Sequence, residues 1–264
     1  MRSIRGGADP ADIDDLIYYL ERNPMRSVSM TGKFVERHNY KDLYDRIFYS
    51  KEAKRFYVLY ENHKVYMKKG WTKKDSAKYF AHLFIDQDKE SAHCYRMDEM
   101  KFKGDEIVVD AGSAEGFFAV YVLDKVKKVY AFECDTEWLD SLKWTFKDTN
   151  KVVVVPKGLG GKVSDGITIL DEYFKGEKID LIKADIEGSE CDTVRGGAKT
   201  LRNAKHAVFC TYHRENDAHD LKQLFEELGF QTELSKGGCI WFGFHYTELK
   251  PPYIRHGVIY ATKN

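Results

Sequence analysis

Glu106-Ile107-Val108-Val109-Asp110-Ala111-Gly112-Ser113-Ala114-Glu115-Gly116 reads as a short buried strand running into a glycine turn. The two glycines let the backbone turn tightly and lie close to a ligand. A helical stretch follows from about Gly116 to Asp124, and Lys128-Val129-Tyr130-Ala131-Phe132-Glu133 reads as the next strand. A strand, a turn, a helix and a second strand in this order form the opening unit of a parallel α/β sheet.

Working outward, the alternation continues to the C-terminus. Asp135 is an N-cap for a helix carrying Trp138, Leu139 and Leu142. Val152 to Val155 is a third strand and Ile179 to Asp185 a fourth. A helix is expected over Ser189 to Leu201, and Ala207 to Tyr212 is a fifth strand. A helix with Leu221, Leu224, Phe225 and Leu228 ends at Gly229, and strand-like runs at Cys239–Phe244 and Gly257–Thr262 close the chain. Upstream, residues 1 to about 100 are charged and aromatic, with no glycine motif. Helical spacing is read at Ile13-Leu16-Leu20 and from Phe34 to Phe48, a β-hairpin at Phe56–Tyr60 and Val65–Met67, and a capping box at Thr72 and Asp75. Two units follow: an α+β extension over 1–100, serving as lid, acceptor cover or oligomer contact, and a cofactor-binding domain over 101–264.

Ligands of open α/β sheets bind beyond the C-terminal strand ends. Asp110, Glu133, Asp185 and His213 all stand there. The nicotinamide fingerprint requires a glycine where this chain has Asp110, and glycines three apart where Gly112 and Gly116 are four apart. Asp110 would repel a pyrophosphate but suit a cation. Glu133, 23 residues after Asp110, stands where an acidic residue accepts ribose hydroxyls. These residues fit S-adenosylmethionine, which has no phosphate and carries an ammonium and a sulfonium.

The chain also resembles the FkbM family of methyltransferases. The matching residues are Val108 to Gly112 with Gly116, Ala131-Phe132-Glu133, Ile182 to Glu190, Val194-Arg195-Gly196 and Leu201, and the run Lys183 to Glu190 is the specific one. The resemblance covers about 104 to 232. It implies a class I methyltransferase fold: a Rossmann-like, mostly parallel sheet with helices on both faces and an antiparallel C-terminal strand. It also implies S-adenosylmethionine as donor and methylation of a hydroxyl on a sugar, glycan or natural product. The cofactor residues implied are Asp110, Ala111, Gly112, Ser113, Gly116, Phe117, Glu133, Cys134 and Asp185. Cys134 departs from the family, which usually has Pro there, and the connection from Gly158 to Ile167 is short.

Methyl transfer from a sulfonium needs a positioned acceptor and a base for its proton. His213 is the leading base, with Asp185 and Glu187 at the pocket mouth. A divalent cation such as magnesium is the alternative, held by Asp185, His213 and Glu215. Lys183 is read as a structural partner of Asp185 or Glu187, and Glu190 as a first-turn helix charge.

Forty-two basic and 42 acidic residues give zero net charge, which argues against nucleic acid as partner. The pair Lys68-Lys69 with Lys73-Lys74 is the best candidate for a local basic patch, and is read first as a solvated face. Five scattered cysteines without C-x-x-C argue against a disulfide framework or a zinc site and suit a reducing cytoplasm. No signal peptide or run of about 20 apolar residues is read, so no membrane partner is expected. A small-molecule or carbohydrate acceptor and a homo-oligomer remain compatible. The competing readings are a non-catalytic binding protein on the same fold and a nucleotide-dependent oxidoreductase.

Overall fold

The computed structural model describes residues 28–30, 33–241 and 254–263, together with Asp14, Ile17, Tyr18 and Glu21. Its strands are β1 (Val28–Met30), β2 (Ile47–Ser50), β3 (Arg55–Tyr60), β4 (His63–Tyr66), β5 (Ile107–Ala111), β6 (Lys128–Phe132) and β7 (Val152–Val155). They continue as β8 (Gly158–Leu159), β9 (Ile167–Thr168), β10 (Leu181–Ala184), β11 (His206–Cys210), β12 (Gln231–Leu234), β13 (Cys239–Trp241) and β14 (Val258–Thr262). Seven form the central sheet in the order β12-β14-β11-β10-β5-β6-β7. The pairs from β7 to β11 are parallel, and β14 runs antiparallel to both β11 and β12. This is the class I methyltransferase sheet expected from the sequence.

The strands bury alternate residues on opposite faces, as the pleat requires. Val108, Val129, Leu181 and Val208 join one hydrophobic cluster. Their neighbours Val109, Tyr130, Ile182 and Phe209 join a second. The second is covered by helices Leu170–Phe174, Glu190–Gly196, Ala198–Asn203 and Asp217–Glu227. The first is covered by helix Phe117–Leu123 and by the upstream region, whose Phe34, Val58, Val65 and Phe80 share its core. Arg55, only 3% exposed, ties the two parts together: its guanidinium donates to the Ala53 carbonyl and to Ser141 Oγ, and pairs with Asp140.

Most elements fall where the sequence places them. The β3–β4 hairpin turns through Glu61 and Asn62, both with positive φ. Thr72 and Asp75 form the reciprocal capping box of helix Lys73–Asp86. Asp135 accepts from Glu137 N and Trp138 N, and Gly229 follows helix Asp217–Glu227 with φ +84. Two readings are corrected, and one strand is new. Phe34 to Phe48 is not one α-helix but the 3-10 turns Lys33–Arg37 and Tyr40–Arg46 leading into β2. Helix 189–201 is divided at Gly197, where a Cβ would lie 2.5 Å from Leu170 Cδ1. Strand β12 was not anticipated, because Gln231-Thr232-Glu233-Leu234 lacks the apolar density of a buried strand. The helical spacing at Ile13, Leu16 and Leu20, the insert from His245 to Tyr253, and Phe244 lie outside the described residues.

Candidate active site

The strand order reverses beside β5: the chain leaves it for β6 and β7 on one side and returns through β10 and β11 on the other. The crevice of such a sheet opens at this switch point. The turn after β5 and the loop after β10 meet there. A Cβ on Gly112, which has φ +71, would lie 1.8 Å from the Asp185 carbonyl oxygen. Gly112 is therefore required by backbone contact as well as by conformation. Gly116 caps helix Phe117–Leu123 in the left-handed region and packs against Leu142 and Phe146.

Glu133 directly follows β6 and is 8% exposed. Its Oε1 accepts from Cys134 N and Asp135 N, both at 2.7 Å, and its Oε2 accepts from Ala114 N at 2.8 Å. A carboxylate has about four acceptor positions. Oε2 thus keeps capacity for another donor, so the residue fits a ribose hydroxyl. Cys134 is exposed beside it, and its sulfur faces the place where a Gly158 Cβ would stand, at 3.8 Å.

Asp110 is fully buried and does not itself present a carboxylate to a cofactor cation. Lys183 occupies that role. Its Nζ is 3.0 Å from Asp110 Oδ1 and donates to the Gly112 carbonyl at 2.8 Å. Burial opposes the Lys183 charge, but Asp110 and then Asp185 outweigh it and hold the ammonium at about 12. The nearest carboxylate of Lys183 is thus Asp110, which at this depth needs a countercharge. Ser113 is also buried, its hydroxyl donating to the Asp110 carbonyl. The Phe117 ring turns away from the crevice and stacks on Tyr60, centroids 4.2 Å apart. Of the expected cofactor residues, Gly112 and Asp185 meet at the switch point, the Ala111 carbonyl accepts from Asp185 N, and Glu133 and Cys134 stand just past β6.

On the other side of the turn, Asp185 gathers a ring of polar groups. Tyr95 and Tyr212 hydroxyls donate to it at 3.2 Å each. His93 Nε2 stands 3.4 Å away and His213 Nε2 3.5 Å. Burial by itself would raise the Asp185 carboxyl. The His93 hydrogen bond and charge, then His213 and Lys183, overcome it and hold the group far below the usual carboxylate range. His213 also lies 3.4 Å from Glu187 and places Nδ1 2.9 Å from Glu190 Oε1. Burial works against its charge, but the Glu190 hydrogen bond and the three carboxylates raise the imidazole to about 9. Glu190 is fully buried and also accepts from Ile186 N, so it locks the loop and the imidazole together.

Glu215 is exposed and stands outside the groups that converge on Asp185; Glu190 completes the Asp185–His213 group instead. Sequence reasoning missed His93, Tyr95 and Glu190. The first two come from the upstream segment, and only the fold brings them 90 or more positions forward to Asp185. Of the suspected basic patch, Lys68 is engaged by Asp135 and Glu137.

Strand order, crevice and the Glu133 turn together define a class I methyltransferase fold. Residues 162–232 match the methyltransferase FkbM domain, so the resemblance read from the sequence holds over that segment. A protein of Clostridium tetani (strain Massachusetts / E88), described as an uncharacterized RNA methyltransferase, is 29% identical over 131 residues. That alignment takes in 49% of this chain and only 27% of the relative. Among solved structures, SMU.1697c of Streptococcus mutans in complex with SAH is similar with TM-score 0.43 and 16% identity, over 70% of this chain and 97% of that one. The precorrin-6y C5,15-methyltransferase of Geobacter metallireducens GS-15 gives TM-score 0.43 and 14% identity, over 63% and 86%.

Proposed function

We propose that the chain is an S-adenosylmethionine-dependent methyltransferase that methylates a hydroxyl of a carbohydrate or other small molecule. One juxtaposition carries the reading. At a single switch point, Glu133 keeps an acceptor position open on one side of the Gly112–Asp185 contact, and a ring of tyrosines and histidines surrounds Asp185 on the other. The first suits the cofactor ribose, and the second suits an acceptor hydroxyl. Bound there, the cofactor supplies a methyl group already activated by a cationic sulfur.

The chain's own groups then divide the work. Asp185 stays ionised and orients its donors rather than taking a proton. His213, raised to about 9, enters neutral solution as an imidazolium that can hold the acceptor oxygen. Glu187 is raised from its ordinary value by partial desolvation, against the pull of His213, and its side chain stays accessible beside that imidazole, so it is the carboxylate placed to receive the acceptor proton.

Zero net charge supports an uncharged acceptor. So do the pairings of Lys68 with Asp135, Arg96 with Glu233 and Lys147 with Glu52. The Clostridium relative favours a second reading, methylation of RNA. Transfer of a tritiated methyl group from S-adenosylmethionine to a glycan panel and, separately, to total RNA tests both. Label in the glycan fraction is expected, and label in RNA alone would move the substrate to the second reading. No label in either, from protein that binds S-adenosylhomocysteine, would sink the catalytic claim.

A further inference from the structure

We propose that His93 Nε2, Cys210 Sγ and an Asp185 carboxylate oxygen form a three-donor site for a borderline-soft divalent cation of the zinc class. The three donor atoms lie within 4.8 Å of one another. They come from the loop after helix Lys73–Asp86, the end of β11 and the loop after β10, so no local motif announces them.

Spacing carries the argument. His93 Nε2 stands 3.4 Å from Asp185 Oδ2, 3.4 Å from Cys210 Sγ and 3.2 Å from the Tyr212 hydroxyl. Zinc bonds to nitrogen, oxygen and sulfur, set at tetrahedral angles, place N and O roughly 3.4 Å apart and N and S roughly 3.6 Å apart. The nitrogen, sulfur and oxygen set is one that zinc takes and magnesium does not. Tyr212 and Tyr95 hydroxyls lie 3.2 Å from Asp185 oxygens, where they can orient the ligating carboxylate.

The His93 segment is also held in place independently of any cation. A Cβ on Gly257 would lie 2.1 Å from the Ala92 carbonyl oxygen and 2.8 Å from His93 N, so this glycine lets the segment rest directly on the start of β14. His93 N donates to Ser91 Oγ at 3.2 Å. Three protein ligands leave a coordination position open, which in a methyltransferase would take and acidify the acceptor hydroxyl. That consequence rests on the proposed function; the binding of the cation does not.

The full chain, stripped with a chelator, is titrated with Co2+ while the near-ultraviolet thiolate-to-cobalt absorption is followed. The wild type is expected to develop that band at one equivalent and to lose it on addition of Zn2+. Cys210→Ser should abolish the band and His93→Gln should weaken Co2+ binding at least tenfold. Cys191→Ser, at a buried cysteine beside Asp217, should leave the band unchanged. Circular dichroism confirms that each variant is folded. A wild type without the band, or a band that survives in folded Cys210→Ser, overturns the site. S-adenosylhomocysteine binding, measured on the same stripped protein, is a separate readout and separates failure of this site from failure of the methyltransferase reading.

Discussion

Lys183 and Asp110 are 4% and 0% exposed, and each is tolerable at that depth because of the other. Removing one member of such a pair leaves a buried charge unpaired, which costs about 3–5 kcal/mol. Lys183→Met should therefore lose stability on that order in urea unfolding, and the double change Asp110→Asn with Lys183→Met should recover part of it. Equal losses in the single and double variants would remove the pair from the account. Glu115 behaves oppositely. Burial pushes its carboxyl from the usual 4.5 to about 7, against the hydrogen bond that Tyr79 donates. The unfolded chain ionises first, so this residue withdraws stability as pH rises from 4.5 to about 7, and the deficit is constant above that. Glu115→Gln should match the wild type near pH 4 and gain on it by up to about 3 kcal/mol by pH 8. Thermal unfolding across that range checks it, and a pH-independent difference would contradict it. Asp110 illustrates what residue type alone conceals. A carboxylate at a strand end invites a cation, yet that cation is supplied by Lys183 on β10, distant along the chain but on the neighbouring strand of the sheet.

Local elements were legible where short-range chemistry decides them. The Thr72–Asp75 capping box, the Asp135 cap and the turn after Tyr60 depend on neighbours within four residues, and all stand as read. Thr72→Ala should cost about 1 kcal/mol of stability, and no change in its melting temperature would show that helix Lys73–Asp86 draws nothing from its cap. Elements settled by distant contact were not legible. Phe34 to Phe48 has helical spacing, but Ile47 pairs with Val58, so the segment runs as two 3-10 turns and ends in a strand. Gly197 interrupts a helix because Leu170 lies against it, and nothing within the helix announces that.

For the whole molecule, the upstream region covers one face of the central sheet and shares a single hydrophobic cluster with it. It also delivers His93 and Tyr95 to Asp185. A chain beginning at residue 101 would expose Phe117, Phe118 and Val108 to water. It is expected to be insoluble or to bind a hydrophobic dye strongly, whereas a folded, monodisperse fragment would show the two parts to be separable. The strand ends Asp110, Glu133, Asp185 and His213 were readable as a set, because a parallel sheet places its ligands there whatever the sequence between. Their division into a ribose side and an acceptor side was not, since it depends on Tyr95 and His93 arriving from the upstream region.

Calorimetric titration with S-adenosylhomocysteine, of the wild type beside Glu133→Ala checked for folding by circular dichroism, tests the central claim most directly. Micromolar binding by the wild type, weakened at least tenfold in Glu133→Ala, is the result expected of a crevice built around that carboxylate. No binding by the wild type, or equal binding by the folded variant, would contradict it.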